Sequence, residues 1–298
     1  MTDQQIDNAL KNSIIVIGAP RSGTSVLARI LEAHPASVHI KEPRTLWKFG
    51  NDRKSDCLSP SDITPQIKKH IRKKLASWVL AEQGSILVEK TPSNALRLEF
   101  CKEIIPEAKF IHIIRNGYDS SLSIRDYWNN FRSGIIYNRT GSKTTVLQQR
   151  LKELSYNQVP FYVSEFLKRA LPLPARLKEV PWGPRFPGLM ATKKAIGTLG
   201  VASLQWRYCV ECACHAGDQL PDDKYLEVRL EDLDEDMLDQ ILKFAGISKT
   251  NEIKTYFHEN YRSVREGQRY QSATQEELKE MNKWIAPTID WLNKRRTK

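Results

Sequence analysis

The residues best suited to binding an anion in this 298-residue chain lie in one short run, Gly18-Ala19-Pro20-Arg21-Ser22-Gly23-Thr24-Ser25. It follows an apolar stretch and opens a helical pattern. A helix start exposes its first backbone N–H groups and carries roughly +0.5 charge, so an anion is favoured there. Gly23 lets the backbone approach that anion closely, and Ser22, Thr24 and Ser25 add hydroxyl donors. Gly18, Gly23 and Ser25 match the spacing of the triphosphate loop G-x-x-x-x-G-K-[ST], but Thr24 takes the lysine place. Arg21 supplies the charge from inside the loop, which suits a terminal group carrying less charge than a triphosphate with Mg2+.

The elements that must position this loop are legible from periodicity. Ser13–Gly18 is apolar and rich in β-branched residues, so it reads as a strand. Thr24–Ala33 carries Val26, Leu27, Ile30 and Leu31 at helical spacing, and His34-Pro35 ends it. Ser85–Val88, Lys109–Ile114 and Tyr225–Arg229 read as three further strands. Ser93–Ile105, Asp119–Phe131, the run leading out of Glu231–Asp239, Val201–His215 and Gln275–Leu292 read as helices. On Val201–His215 the spacing places Val201, Leu204, Tyr208, Cys212 and His215 on one face.

Strands alternating with helices predict an α/β fold, a central parallel sheet flanked by helices. The chain is expected to form a single domain over residues 1–298. A mostly helical insertion is expected at about 138–200, and a C-terminal basic loop plus helix at 260–298.

Composition sets further bounds. Charged residues make up 27% and hydrophobic residues 40%, and no run of 18 apolar residues occurs, so no membrane span is expected. The net charge of +11 favours an anionic ligand, but no nucleic-acid recognition motif accompanies it. Cys57, Cys101, Cys209, Cys212 and Cys214 are odd in number and clustered, which is a poor disulfide framework and predicts a reducing compartment. The polar N-terminus lacks the pattern of a signal peptide, so a cytoplasmic location is expected. Cys209-x2-Cys212-x-Cys214-His215 falls inside a helical pattern with no second ligand pair nearby, and no metal site is expected from it.

The glycine run resembles the phosphosulfate loop of sulfotransferases that use 3′-phosphoadenosine-5′-phosphosulfate (PAPS). A second segment agrees independently: Ile113-Ile114-Arg115-Asn116-Gly117-Tyr118-Asp119 continues to Ser123, with the spacing of the Arg and Ser that hold the 3′-phosphate in that family. A planar guanidinium grips phosphate bidentately, and a hydroxyl from the next helix completes the pocket. Tyr225–Arg229 with Leu230-Glu231-Asp232-Leu233 resembles a third family segment.

The resemblance implies a P-loop-like fold and transfer of a sulfuryl group from PAPS to a hydroxyl or amine, with no metal expected. Cytosolic members carry K-T-H after the second of these strands, with the His as base, whereas this chain has Lys90-Thr91-Pro92. The resemblance then turns to the tyrosyl-protein and carbohydrate branches, which place a catalytic Glu where Glu42 stands. It implies Glu42 as base, Lys90 beside the leaving oxygen and Arg21 on the phosphosulfate.

His34 and His39 are rival bases, and His34 also suits a role in the turn after the helix. Arg44 is expected to orient Glu42 or to bind an acidic acceptor. Arg265, in a partial match Arg265-Glu266-Gly267, is expected at the 3′-phosphate, and Trp182 in the loop Trp182-Gly183-Pro184-Arg185 at the acceptor. The acceptor class expected is a small molecule or carbohydrate. Two other readings compete: a P-loop-type small-molecule kinase, and an inactive anion- or polysaccharide-binding member.

Overall fold

The computed structural model describes residues 1–132, 153–163, 181–261 and 269–295. Its centre is a five-stranded sheet in the order β2-β3-β1-β4-β5. The strands are β1 (Ser13–Ile17), β2 (Ser37–Lys41), β3 (Ile86–Lys90), β4 (Lys109–Ile114) and β5 (Tyr225–Arg229). Every neighbouring pair is parallel. β1 lies at the centre, and the chain runs from it to one side for β2 and β3 and to the other for β4 and β5. A topological switch point of this kind opens a crevice at the carboxyl ends of the strands.

Alternation along the strands divides the core in two. Ile14 and Val16 of β1 join Val88, Ile111, Ile113 and Val228 on one face. That face is covered by α2 (Thr24–Glu32), α8 (Glu235–Ala245) and α9 (Asn251–Asn260). Ile15 and Ile17 join Leu87, Phe110 and Ile114 on the other. There the cover is α1 (Asp3–Leu10), α4 (Pro65–Ala81), α5 (Leu98–Ile104), α6 (Gly117–Arg132), α7 (Leu189–Gly217) and α10 (Gln275–Arg295). β1 is buried at all five positions, which is why it reads as a continuous apolar run.

Three local expectations change. β2 does not appear in the sequence reading, because SVHIK at the sheet edge alternates half-buried and buried residues instead of forming an apolar run. The helix expected over 93–105 is a 3-10 turn, Pro92–Leu96, followed by α5. Arg97 breaks it at φ −148°, with its buried guanidinium bonded to Asn94, Ser93 and Asp56. α7 begins at Leu189, kinks at Gly197 (φ 78°), and buries Trp206, Cys209, Val210, Ala213 and Cys214, while Cys212 and His215 face solvent. Among the described residues no helix is long and apolar enough to cross a membrane.

Candidate functional site

The glycine loop leaves β1 at the switch point. Gly18 can hold no side chain, since a Cβ there would lie 2.4 Å from the Ile113 carbonyl oxygen of β4. Gly23 caps α2 in the left-handed region (φ 90°) and offers no side-chain cap, whereas Thr2, Thr64, Asp234 and Thr250 each cap a helix with a side-chain oxygen. The first N–H groups of α2 are thus left to the crevice. Ser22 and Thr24 are buried and Ser25 is exposed.

Arg21 and Arg115 meet directly. Arg115 Nη1 donates to the Arg21 carbonyl oxygen at 3.2 Å, and Arg21 Nε donates to Ser123 Oγ at 3.0 Å. The guanidinium of Arg21 also lies 4.6 Å over the Tyr127 ring, on which Trp182 stacks at 5.1 Å. Trp182 is therefore two side chains from the loop arginine. Arg265 lies outside the described residues.

Glu42 follows β2, and Lys90 ends β3, whose register pairs Lys90 with Val16 of β1 just before the loop. Glu42 Oε1 accepts from Lys90 Nζ at 2.5 Å, and Oε2 accepts from Arg44 Nη2 at 2.6 Å and Nε at 3.1 Å. Burial pushes the Glu42 carboxyl up, but the charges and hydrogen bonds of Arg44 and Lys90 outweigh it and bring the pKa to about 2. The side chain of Lys90 is only 6% exposed. Positive φ outside glycine occurs, among the described residues, at Arg21 (69°), Glu42 (50°) and Gln83 (54°). Two of the three are residues expected to act, and such strain persists where the surroundings over-determine it.

The rival bases are engaged elsewhere. His39 Nδ1 lies 2.8 Å from Glu32. His34 accepts from the Ala36 N–H at 3.1 Å and supports the turn after α2.

Residues 13–167 match the model of the Sulfotransferase family, just over half of the chain. The chain belongs to this family. Among curated relatives, a putative protein-tyrosine sulfotransferase of Caenorhabditis briggsae is 30% identical over 111 residues, covering 35% of this chain and 39% of that protein. Nodulation protein NoeE of Sinorhizobium fredii is 26% identical over 129 residues, covering 38% and 31%. The chain thus spans about two fifths or less of the length of these relatives. In fold it is similar to sulfotransferase STF9 from Mycobacterium avium (TM-score 0.51, 14% identity, 96% of this chain and 78% of that one). It is likewise similar to sulfotransferase STF1 from Mycobacterium tuberculosis H37Rv (0.50, 16%, 93% and 78%).

Several residues around this candidate site escaped the sequence reading. Glu89 of β3 is fully buried and accepts from Trp47 Nε1 (3.1 Å), Thr91 Oγ1 (2.5 Å) and Asn94 Nδ2 (2.9 Å). Burial raises its pKa to about 7 against these hydrogen bonds. It ties α3 (Arg44–Trp47), which carries Arg44, to the end of β3, which carries Lys90. The signal was available: a carboxylate inside the apolar run ILVEK. Trp206 Nε1 donates to the Arg115 carbonyl at 3.1 Å, and a Cβ on Gly117 would lie 2.9 Å from the Trp206 ring. Nothing in the local sequence announces that contact across 91 residues.

His112, Cys214 and Glu227 bring ligand atoms within 4.8 Å of one another. The Tyr225 hydroxyl already bonds His112 (2.7 Å), and Arg295 already bonds Glu227 (3.1 Å).

The residues present fit a bisphosphorylated nucleotide. Ser22 Oγ and Arg115 Nε are buried without a hydrogen-bond partner among the described residues. Orphaned polar atoms of this kind are costly unless a ligand or water takes them up.

Proposed function

We propose that the chain transfers a sulfuryl group from PAPS to a hydroxyl or amine acceptor, with Glu42 as general base. The observation that carries this reading is the contact of Arg21 with both Arg115 and Ser123 on the loop leaving β1, whose neighbour β3 ends at Lys90, the partner of Glu42. Arg21, Ser22, Gly23, Thr24 and Ser25 would hold the 5′ end of the donor, and Arg115 with Ser123 the 3′-phosphate. When bound, the donor supplies a sulfuryl group activated by its phosphate leaving group.

Glu42 takes the acceptor proton as the acceptor oxygen or nitrogen bonds to sulfur. The bond from sulfur to the 5′-phosphate oxygen breaks, and Lys90 stabilises the charge that oxygen receives. A carboxylate held near pKa 2 is a poor base. Lys90 corrects this by serving two partners in turn: as its ammonium moves from Glu42 to the leaving oxygen, Glu42 loses one cation and its basicity rises. Arg44 keeps the carboxylate oriented throughout.

The acceptor is proposed to be a small molecule or carbohydrate. A cleft of about 470 Å3 beside α3, lined by Asn51, Asp52, Arg53, Lys54, Asn157 and Phe161, supports a polar acceptor with a face for stacking. Trp182 and Arg44 would complete acceptor contacts. The reading also treats residues 1–298 as one cytoplasmic domain.

The test is a thermal melt with adenosine 3′,5′-bisphosphate in the presence of a chelator, then transfer of labelled sulfuryl groups to an acceptor panel. Stabilisation without metal is expected. Stabilisation by ATP with Mg2+ and none by the bisphosphate would refute the donor assignment.

A further inference from the structure

Asp119 stands at the third position of α6, after the cap residue Asn116. Asn116 Oδ1 accepts from the N–H groups of Tyr118 (3.0 Å) and Asp119 (3.2 Å). An acidic residue at this position ordinarily turns back to the cap's own N–H. Here Glu231 Oε1 takes that N–H at 2.8 Å, which leaves the Asp119 carboxylate to other partners.

Among the described residues, such partners come from two directions. Oδ2 lies 3.4 Å from Arg115 Nη2, and Oδ1 accepts from the backbone N–H groups of Arg269 and Tyr270, both at 3.0 Å. The Asp119 side chain is fully buried. The Tyr270 ring packs on Tyr118 at 4.8 Å, and Arg269 pairs with Asp126 at 2.6 Å, so the segment entering α10 is seated on α6 at several points. Among the described residues, the Arg115 guanidinium is held by the Arg21 carbonyl and by this carboxylate.

We propose that Asp119 is a positioning residue: it aims Arg115 at the nucleotide phosphate and couples that aim to the Arg269–Tyr270 segment. This rests on the reading of Arg115 as the 3′-phosphate ligand. Arginine has many rotamers, and holding one in advance lowers the ordering cost of binding. The carboxylate offers a fixed acceptor for Nη2 of the fork, while Nε has no partner among the described residues.

Asp119→Asn separates the two contacts. Two backbone donors fix the amide so that its oxygen keeps them, which turns its NH2 toward Arg115 and replaces an attraction with a donor–donor conflict. The probes are adenosine 3′,5′-bisphosphate and adenosine 5′-monophosphate, with Kd measured by calorimetry on the full chain. For Asp119→Asn, Kd for the bisphosphate is expected to rise about tenfold, with Kd for the monophosphate changed less than about twofold. Equal weakening of both would mean a structural role only, and an unchanged or tighter bisphosphate would also overturn the proposal. If Asp119→Asn does not fold, Asp119→Glu keeps the charge but shifts the acceptor by one methylene; the same selective loss is expected, and unchanged selectivity overturns it. A wild-type chain that binds both nucleotides equally overturns the site reading itself, a separate result visible before any variant is made.

Discussion

Replacing Glu42 by Gln removes the carboxylate from between Lys90 and Arg44 while keeping its shape. The depression of its pKa from 4.5 to about 2 corresponds to about 3 kcal/mol of favourable interaction in the folded state. Its side chain is 28% exposed, so water screens part of this and the figure is an upper bound. At neutral pH the variant should therefore melt lower, by up to roughly 5 °C. The sign of the pH dependence follows from a lowered folded pKa. The contribution is complete above the unfolded value near 4.5 and is lost as pH falls toward 2, so the melting difference should shrink across that window. Turnover should fall by about 10^2 to 10^4, the usual worth of a general base. The double variant Glu42→Gln, Lys90→Met removes the buried ammonium left without its partner and should regain most of the lost stability, but no activity. Paired melting curves and initial rates of sulfuryl transfer read both effects. Turnover of Glu42→Gln within threefold of wild type, or activity regained in the double variant, would refute the assignment of Glu42 as base.

Two further outcomes follow from the geometry. The raised pKa of Glu89 means that its contribution to stability is complete below about pH 4.5 and is lost as pH rises through about 7, a swing of up to about 3 kcal/mol. Urea midpoints should show this decline in wild type and a flatter profile in Glu89→Gln; identical profiles would remove Glu89 as its source. Gly18→Ala forces a methyl 2.4 Å from the Ile113 carbonyl, with backbone on both sides of the clash, and should cost about 1–3 kcal/mol. An unchanged urea midpoint would show that the loop yields more easily than its packing implies.

The proposed donor-side site rests on local sequence. A strand, a turn and a helix in immediate succession place Gly18, Arg21 and Gly23 together, and the eight-residue step from Arg115 to Ser123 spans one strand end and the first turns of one helix. The central strands read clearly because both faces are buried, which leaves them apolar throughout. β2 did not, because polar residues alternate with its two apolar ones in SVHIK.

The amino-acid sequence by itself determined the α/β pattern, the loop at the end of the first strand, and the residue types available for anion binding and proton transfer. Tertiary structure alone decided that Glu42 meets Lys90 across 48 residues, that Arg21 reaches Ser123 across 102, and that Asp119 answers to a segment 150 residues on. The physical reason is the parallel sheet. Each strand returns through a long crossover, so the residues that gather at its carboxyl ends are neighbours by register and far apart in the chain.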